Sequence, residues 1–262
     1  MRVLILGGLG FIGGRLSEFL SSFNYEVKIA TRQDNIIKAG KKKIEVIFID
    51  WNKIESLEKA CNNIDIIIHA AGANSQDSVN FFEDVKFFSR VGTSNLIKAA
   101  RKKAVKKIIY LSTAHVYSNP LLGQINEEKK PENNHPYAIS HLIVENQILS
   151  PEVKKDIDTV VLRLANSFGA PSRIDADCWY IFINDICKQA IINKNINIKS
   201  NVNTVRNFIS LTTVLNFIKF ILEVDKDFKN LPDIINIGER FSLSIKEVMS
   251  IVKSRIEKIL NF

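Results

Sequence analysis

The sequence predicts an α/β fold, a doubly wound parallel sheet with a smaller C-terminal α/β lobe. Three observations carry that expectation. Strand-sized apolar runs alternate with helical patterns, a glycine-patterned turn joins the first strand to the first helix, and the pattern loosens after Leu164. Strand-like runs fall at 3–6, 27–30, 44–49, 64–69, 108–111 and 159–164, with helical spacing between them at 12–23, 54–61, 81–103 and 137–149. Short apolar strands separated by helices build βαβ units, and these assemble into a parallel sheet. Ligands on such sheets bind beyond the carboxyl ends of the strands. After Leu164 helices are expected over 178–192, 214–224 and 244–260, with short strands at 196–199 and 234–237. The expected division is 1–165 for the sheet domain and 166–262 for a smaller lobe over its mouth, parts of which interleave with the sheet.

Composition narrows the function classes. With 46% hydrophobic and 24% charged residues, the chain reads as an ordinary globular protein. No run approaches the roughly 20 apolar residues of a membrane span. The apolar N-terminus reads as the first strand rather than a signal peptide, so a cytoplasmic location and no membrane partner are expected. Cys61, Cys178 and Cys187 are odd in number and unpatterned, which suits a reducing compartment. The four histidines lack metal-ligand spacing, so no metal is expected. A net charge of +8 attracts anionic ligands, yet the runs Lys41-Lys42-Lys43 and Arg101-Lys102-Lys103 sit at expected element ends and read as solvated charge. Aromatic residues do not interleave with the basic ones, so nucleic acid is not an expected partner.

Val3-Leu4-Ile5-Leu6 runs straight into Gly7-Gly8-Leu9-Gly10-Phe11-Ile12-Gly13, and apolar residues at helical spacing follow. Strand, glycine turn and helix together are the context of a dinucleotide cradle. The chain must turn sharply, the backbone must approach a pyrophosphate with no Cβ between them, and the helix must pack close to the strand. Gly7, Gly10 and Gly13 meet these demands, and the backbone at Phe11 and Ile12 opens a helix whose bare N–H groups attract phosphate. The sheet is therefore expected to be of Rossmann type.

The second strand ends in Thr31-Arg32, without the carboxylate that would accept from a ribose 2′-hydroxyl. A guanidinium suits a 2′-phosphate, so NADP is the expected cofactor and NAD the close alternative, with Arg32 then a surface or adenine-stacking residue. Asp34 lies nearby but in the loop. Asp50, after the third strand, either accepts from an adenine amino group or caps the next helix. His69-Ala70-Ala71-Gly72 ends the fourth strand; Ala70, Ala71 and Gly72 let a bulky ligand lie against the backbone, and His69 reads as a core or rim histidine.

Downstream stand Ile109-Tyr110-Leu111-Ser112-Thr113-Ala114-His115-Val116-Tyr117 and Pro136-Tyr137-Ala138-Ile139-Ser140-His141. With the three glycines, these segments resemble the extended short-chain dehydrogenase/reductases, the NAD(P)-dependent sugar-nucleotide epimerase/dehydratase family. Arg163-Leu164-Ala165-Asn166-Ser167-Phe168-Gly169, Arg206-Asn207-Phe208-Ile209-Ser210 and Ile235-Asn236-Ile237-Gly238 extend the likeness, in order, over nearly the whole chain. The resemblance implies that Tyr137 is the general acid/base, that Thr113 hydrogen-bonds the reacting oxygen, and that residue 141 holds the nicotinamide ribose and tunes the tyrosine. It further implies that Asn166 and Arg206 hold the diphosphate of a nucleotide-sugar substrate. A homodimer through the helices around 81–103 and 137–149 is also implied.

Three features depart from that pattern. His141 stands where the family has lysine, Ser89 replaces an asparagine before Gly92-Thr93, and the chain is short for the family. A histidine at 141 is expected to be only partly protonated at pH 7. Ala114 and His115 occupy the positions where the dehydratases carry an acid–base carboxylate pair, and Ala114 cannot move a proton, which argues against 4,6-dehydration. A ketoreductase or epimerase in surface-polysaccharide precursor synthesis is expected, against a non-catalytic dinucleotide-binding regulator or scaffold on the same fold. Arg173, Asp175, Asp177, Trp179 and Asn184 are candidates to face the sugar nucleotide.

Overall fold

The computed structural model describes residues 1–32, 44–198, 201–224 and 230–260. Asp34, the run Lys41-Lys42-Lys43 and Lys199 lie outside them. In chain order the first half runs β1 (Arg2–Leu6), α1 (Phe11–Ser21), β2 (Glu26–Thr31), β3 (Glu45–Phe48), α2 (Ile54–Ala60), β4 (Ile66–His69), α3 (Ser75–Asn80), α4 (Phe82–Phe87), α5 (Thr93–Lys102) and β5 (Lys107–Thr113). The second half runs α6 (Pro136–Ile148), α7 (Pro151–Lys154), β6 (Asp158–Leu164), β7 (Asn166–Phe168), α8 (Phe182–Ile192), β8 (Val205–Arg206), β9 (Phe208–Ser210), α9 (Leu211–Val224), β10 (Ile234–Ile237), β11 (Leu243–Ser244) and α10 (Ile245–Leu260).

Seven strands form one sheet in the order β3-β2-β1-β4-β5-β6-β10, and every pairing in it is parallel. Val3 pairs with Val27 on one side and with Ile66 on the other. The strand order reverses between β1 and β4, and a crevice opens at such a switch point beyond the strand ends. Side chains alternate across each strand, so both faces must be covered. Leu4, Leu6, Ile67 and Ile108 meet Leu57 of α2, Leu96 and Ala99 of α5, and Val144 and Ile148 of α6. Val3, Ile5, Ile66, Ile68 and Ile109 meet Leu16 and Leu20 of α1 and Val214, Leu215 and Ile218 of α9.

Of two late segments, one interleaves with the sheet as expected and the other departs from expectation. The strand at 234–237 is β10, which joins the main sheet against β6 with Ile234 opposite Val161. With α9 packed on α1, these residues belong to the same layered body as the first 165. Residues 196–198 form no strand; Ile196 and Ile198 instead pack from an irregular segment onto a small core of Ile186, Phe208, Val248 and Val252. That core holds α8 and α10 together beside the short pairs β7–β9 and β8–β11.

The helix expected over 81–103 is interrupted by a π turn at Phe88–Gly92 between α4 and α5. Phe88 packs edge-on against Trp51 at 4.9 Å, and a Cβ on Gly92 would stand 3.2 Å from the same indole. The widened turn brings Ser89 inward, where its carbonyl accepts from Gln147 of α6 at 3.1 Å. No helix among the described residues is long and apolar enough to cross a membrane.

Candidate active site

A cleft of about 630 Å³ lies beyond the strand ends. Its walls bring together Gly10, Phe11, Ile12, Gly13, Ala70, Ala71, Gly72, Thr113, Tyr137, His141, Asn166 and Arg206, all singled out from the sequence. Gly7, Arg32 and Asp50 are not in its lining.

The floor is the start of α1. Gly7 turns the chain at φ +76°, and a Cβ there would meet the backbone of Ala70 and Ala71 at 2.8–2.9 Å. A Cβ on Gly13 would run into the Gly7 carbonyl, so glycine there lets the helix seat on the strand. Gly10 is the N-cap of α1 and makes no side-chain capping bond, and no acidic residue stands in the first turn. The first N–H groups of the helix are left for an outside acceptor, which fits a pyrophosphate. Gly7 acts in the turn rather than in the wall.

Arg32 is exposed, with its guanidinium 5.6 Å from the centre of the Phe88 ring. Asp50 accepts from the Asn52 N–H at 3.0 Å and lies 3.4 Å from the Lys53 ammonium, an arrangement that serves the turn into α2. His69 is buried, stacked on Trp51 at 5.6 Å and 5.1 Å from Tyr110. Burial pushes its pKa down to about 3, so it is a neutral core residue.

The chemistry-bearing wall is made by α6 against β5. Residues four apart share a helix face, and Tyr137, His141 and Glu145 each meet a side chain of β5. Tyr137 and Thr113 face the same cleft, and the Thr113 side chain acts on the phenol. The Tyr110 hydroxyl and His141 Nδ1 lie 2.7 Å apart. Ser112 donates to Glu145, whose carboxylate also takes Arg163 Nη2 at 2.6 Å and Nε at 3.1 Å. Both members of that ion pair are buried, so its charges are matched where water cannot reach them. Arg163 also lies over the Tyr117 ring at 4.7 Å, and Tyr117 donates to Asn236 at 2.8 Å. Glu145 was legible in principle from the 137/141/145 spacing, whereas Tyr110 carried no signal of its own.

Protonation differs from expectation. Burial, reinforced by His115, pushes the His141 pKa down to about 4, so its imidazole is neutral at pH 7 rather than partly charged. The ring lies edge-on to Tyr137 at 4.6 Å. Burial raises the Tyr137 phenol above its ordinary value, partly offset by the Thr113 side chain. A neutral imidazole supplies none of the charge by which a lysine would oppose that rise. Tyr137 is therefore held as a protonated phenol.

The opposite wall comes from the segments after Leu164. Asn166 donates to the Asn207 carbonyl at 2.8 Å and turns its oxygen to His115 Nε2 at 3.3 Å. Arg206 stands beside them in the lining. Of the five sugar-facing candidates only Asp177 reaches the cleft, held by Asn74 at 3.0 Å. Arg173 and Asp175 pair with each other, Trp179 lies under Lys188, and buried Asn184 accepts from the Gly169 N–H. His115 and His135 line the cleft and were not singled out as site residues.

The family model described as "NAD dependent epimerase/dehydratase family" matches residues 3–238. The chain is 28% identical to human dTDP-D-glucose 4,6-dehydratase, over 96% of its own length and 74% of that protein's. It is 29% identical to Bacillus subtilis UDP-glucose 4-epimerase, over 65% of its length and 54% of that relative's. The structure of Thermus thermophilus UDP-glucose 4-epimerase in complex with NAD has the same fold, with a TM-score of 0.81, 22% identity and coverage of 97% of this chain and 83% of that one. The family match spans the glycine cradle, the Thr113–Tyr137 pair and both walls of the cleft, and on that basis the chain belongs to the NAD-dependent epimerase/dehydratase family, among the extended short-chain dehydrogenase/reductases.

Proposed function

We propose that this protein reduces a keto group on a nucleotide-activated sugar, with a nicotinamide dinucleotide in the cleft and Tyr137 as the general acid. The carrying observation is that Thr113, Tyr137 and His141 line one cleft, with the Tyr137 phenol raised above its ordinary pKa and edge-on to a neutral imidazole. A dinucleotide bound over the start of α1 would supply or accept hydride. Thr113 and Tyr137 would then hold the carbonyl oxygen between two hydroxyls, and Tyr137 would give it a proton as negative charge develops. A phenol that stays protonated is a ready acid and a poor base, which favours reduction over the oxidation that begins an epimerisation. Asn166 and Arg206 would hold the diphosphate of the sugar nucleotide, and Ala114 leaves the position after Thr113 without a proton-transfer group, against dehydration.

Arg32 supports NADP, while the NAD complex of the Thermus thermophilus epimerase keeps NAD in view. Epimerisation with a retained cofactor is the second reading, favoured by the likeness to the Bacillus subtilis UDP-glucose 4-epimerase. The test is kcat against pH, in both directions, on a keto-sugar nucleotide and its alcohol. Wild type should reduce at a constant rate through neutral pH and oxidise only at high pH. His141→Lys adds a charge that lowers the tyrosine pKa, so oxidation should emerge at lower pH and reduction should fade earlier. Tyr137→Phe should lower turnover about 10²–10⁴-fold in both directions while cofactor still binds. Superimposable profiles for wild type and His141→Lys would remove residue 141 from the mechanism. A wild type that binds cofactor and turns nothing over would leave a binding protein.

A further inference from the structure

We propose that Tyr110 is a positioning residue that fixes His141 as the tautomer protonated on Nε2, so that an uncharged N–H is offered to the ligand in the cleft. The ligand half of this inference rests on the dinucleotide reading above; the tautomer half does not.

Tyr110 sits on β5 with only 2% of its surface accessible, and its hydroxyl lies 2.7 Å from His141 Nδ1. Burial raises the phenol well above its ordinary pKa, with Glu145 and Tyr137 adding to the rise, so the proton stays on. That proton needs an acceptor, because buried polar groups are almost always satisfied. Among the described residues Nδ1 is the one hydrogen-bond partner of this hydroxyl. The hydroxyl therefore donates and Nδ1 accepts. A neutral imidazole carries a single N–H, and with Nδ1 accepting, that hydrogen belongs on Nε2. The partner of one ring nitrogen thus sets what the other can do.

Nε2 makes no hydrogen bond among the described residues. It faces Gly72, where a Cβ would stand 4.0 Å from it. This is the wall at the end of β4 that Ala70, Ala71 and Gly72 keep free of bulk, and His141 shares the cleft lining with them. Around the ring stand Tyr110 of β5, Tyr137 one turn earlier on α6, and two further histidines, His115 and His69, that interact with it electrostatically. The carboxylate of Glu145, one turn later on the same face, is committed to Arg163 and Ser112 rather than to the imidazole. The other tautomer would turn a lone pair toward the cleft and a second proton toward the Tyr110 hydroxyl. An acceptor such as a ribose hydroxyl is therefore matched only while Tyr110 holds Nδ1.

The experiment is nitrogen NMR of the imidazoles in ¹⁵N-histidine protein at neutral pH, with His141 assigned by its loss in His141→Gln, together with calorimetric titration of NADH and NADPH. Wild type should show His141 as a single tautomer, with Nε2 protonated and Nδ1 an acceptor. In Tyr110→Phe the Nδ1-protonated form should appear, and dinucleotide affinity should fall about tenfold, the worth of one donor. A structural role alone would not change the tautomer. An Nδ1-protonated wild type would overturn the assignment, and that spectrum decides the matter even if Tyr110→Phe does not fold. Unchanged tautomer and affinity in Tyr110→Phe would also overturn it. Wild type with the expected tautomer but no affinity for either dinucleotide would overturn the reading of the cleft alone.

Discussion

Two helices begin at the cleft, and they begin in opposite ways. α1 starts at Gly10 with no side-chain cap and no acidic residue in its first turn. α6 starts at His135, whose Nδ1 accepts the Tyr137 N–H at 3.2 Å, with Pro136 at the first helical position. A bare helix start exposes donors and a positive dipole end to whatever anion arrives. A capped start satisfies a donor internally and holds its first side chains in place. On the function proposed above, the protein would bind through backbone at one helix and position the reactive Tyr137 at the other. The first arrangement is sensitive to added bulk and the second to lost hydrogen bonds.

The sharpest way to break the comparison is bulk at α1. Gly13→Ala places a Cβ against the Gly7 carbonyl, so helix and strand must separate. A loss of about 3 kcal/mol in urea unfolding is expected, as for an overpacked core. Gly10 has extended backbone, at φ −78° and ψ −178°, and the nearest atom to a Cβ there would be 3.2 Å away. That atom is the Gly7 carbonyl oxygen, a tight contact but a looser one than at Gly13, so Gly10→Val should lose less stability than Gly13→Ala while losing dinucleotide binding. If both variants lose stability equally, Gly10 is part of the packing rather than the ligand surface.

Arg32 supplies a third kind of contact, an exposed charge at the end of β2 that belongs to neither helix. Arg32→Ala should weaken NADP relative to NAD by roughly 1.5–3 kcal/mol, the worth of a charge-assisted hydrogen bond. Calorimetry on wild type and variant decides this. If wild type favours NAD, the guanidinium is serving the Phe88 ring, over which it already lies at 5.6 Å.

The sequence was most readable where one residue type is demanded by backbone geometry. Gly7 and Gly13 announced the tight turn that seats α1 on β1, and the alternation of apolar runs announced a parallel sheet. Thr113, Tyr137 and His141 were found through a family likeness, and the fold brings all three into one cleft. What stayed hidden depends on partners distant in sequence. β10 pairs with β6 across some seventy residues, and nothing local in Ile234 to Ile237 distinguishes that from a lobe strand. The neutral state of His141 follows from burial that its own sequence neighbours do not determine. Tyr110 looks like any apolar strand residue until the ring opposite it is known.

The smallest expected effect lies at the cap of α6, where the sequence offered no warning because histidine is not among the favoured capping residues. His135→Ala leaves the Tyr137 N–H without its acceptor, and a lost cap typically costs about 1 kcal/mol. Pro136 already restricts the backbone at the first helical position, so the helix should persist and the change should fall on its first turn. Tyr137 lies in that turn and shares the cleft lining with Thr113. The expected signature is a modest drop in urea midpoint together with a larger fractional drop in kcat, since a loosened first turn misplaces the phenol more than it weakens the core. His135→Asn restores a side-chain acceptor of the favoured type and should recover both. Recovery of stability without kcat would show that His135, which also lines the cleft, touches the substrate itself. In that case the capped helix would not differ from the bare one as cleanly as the two starts imply.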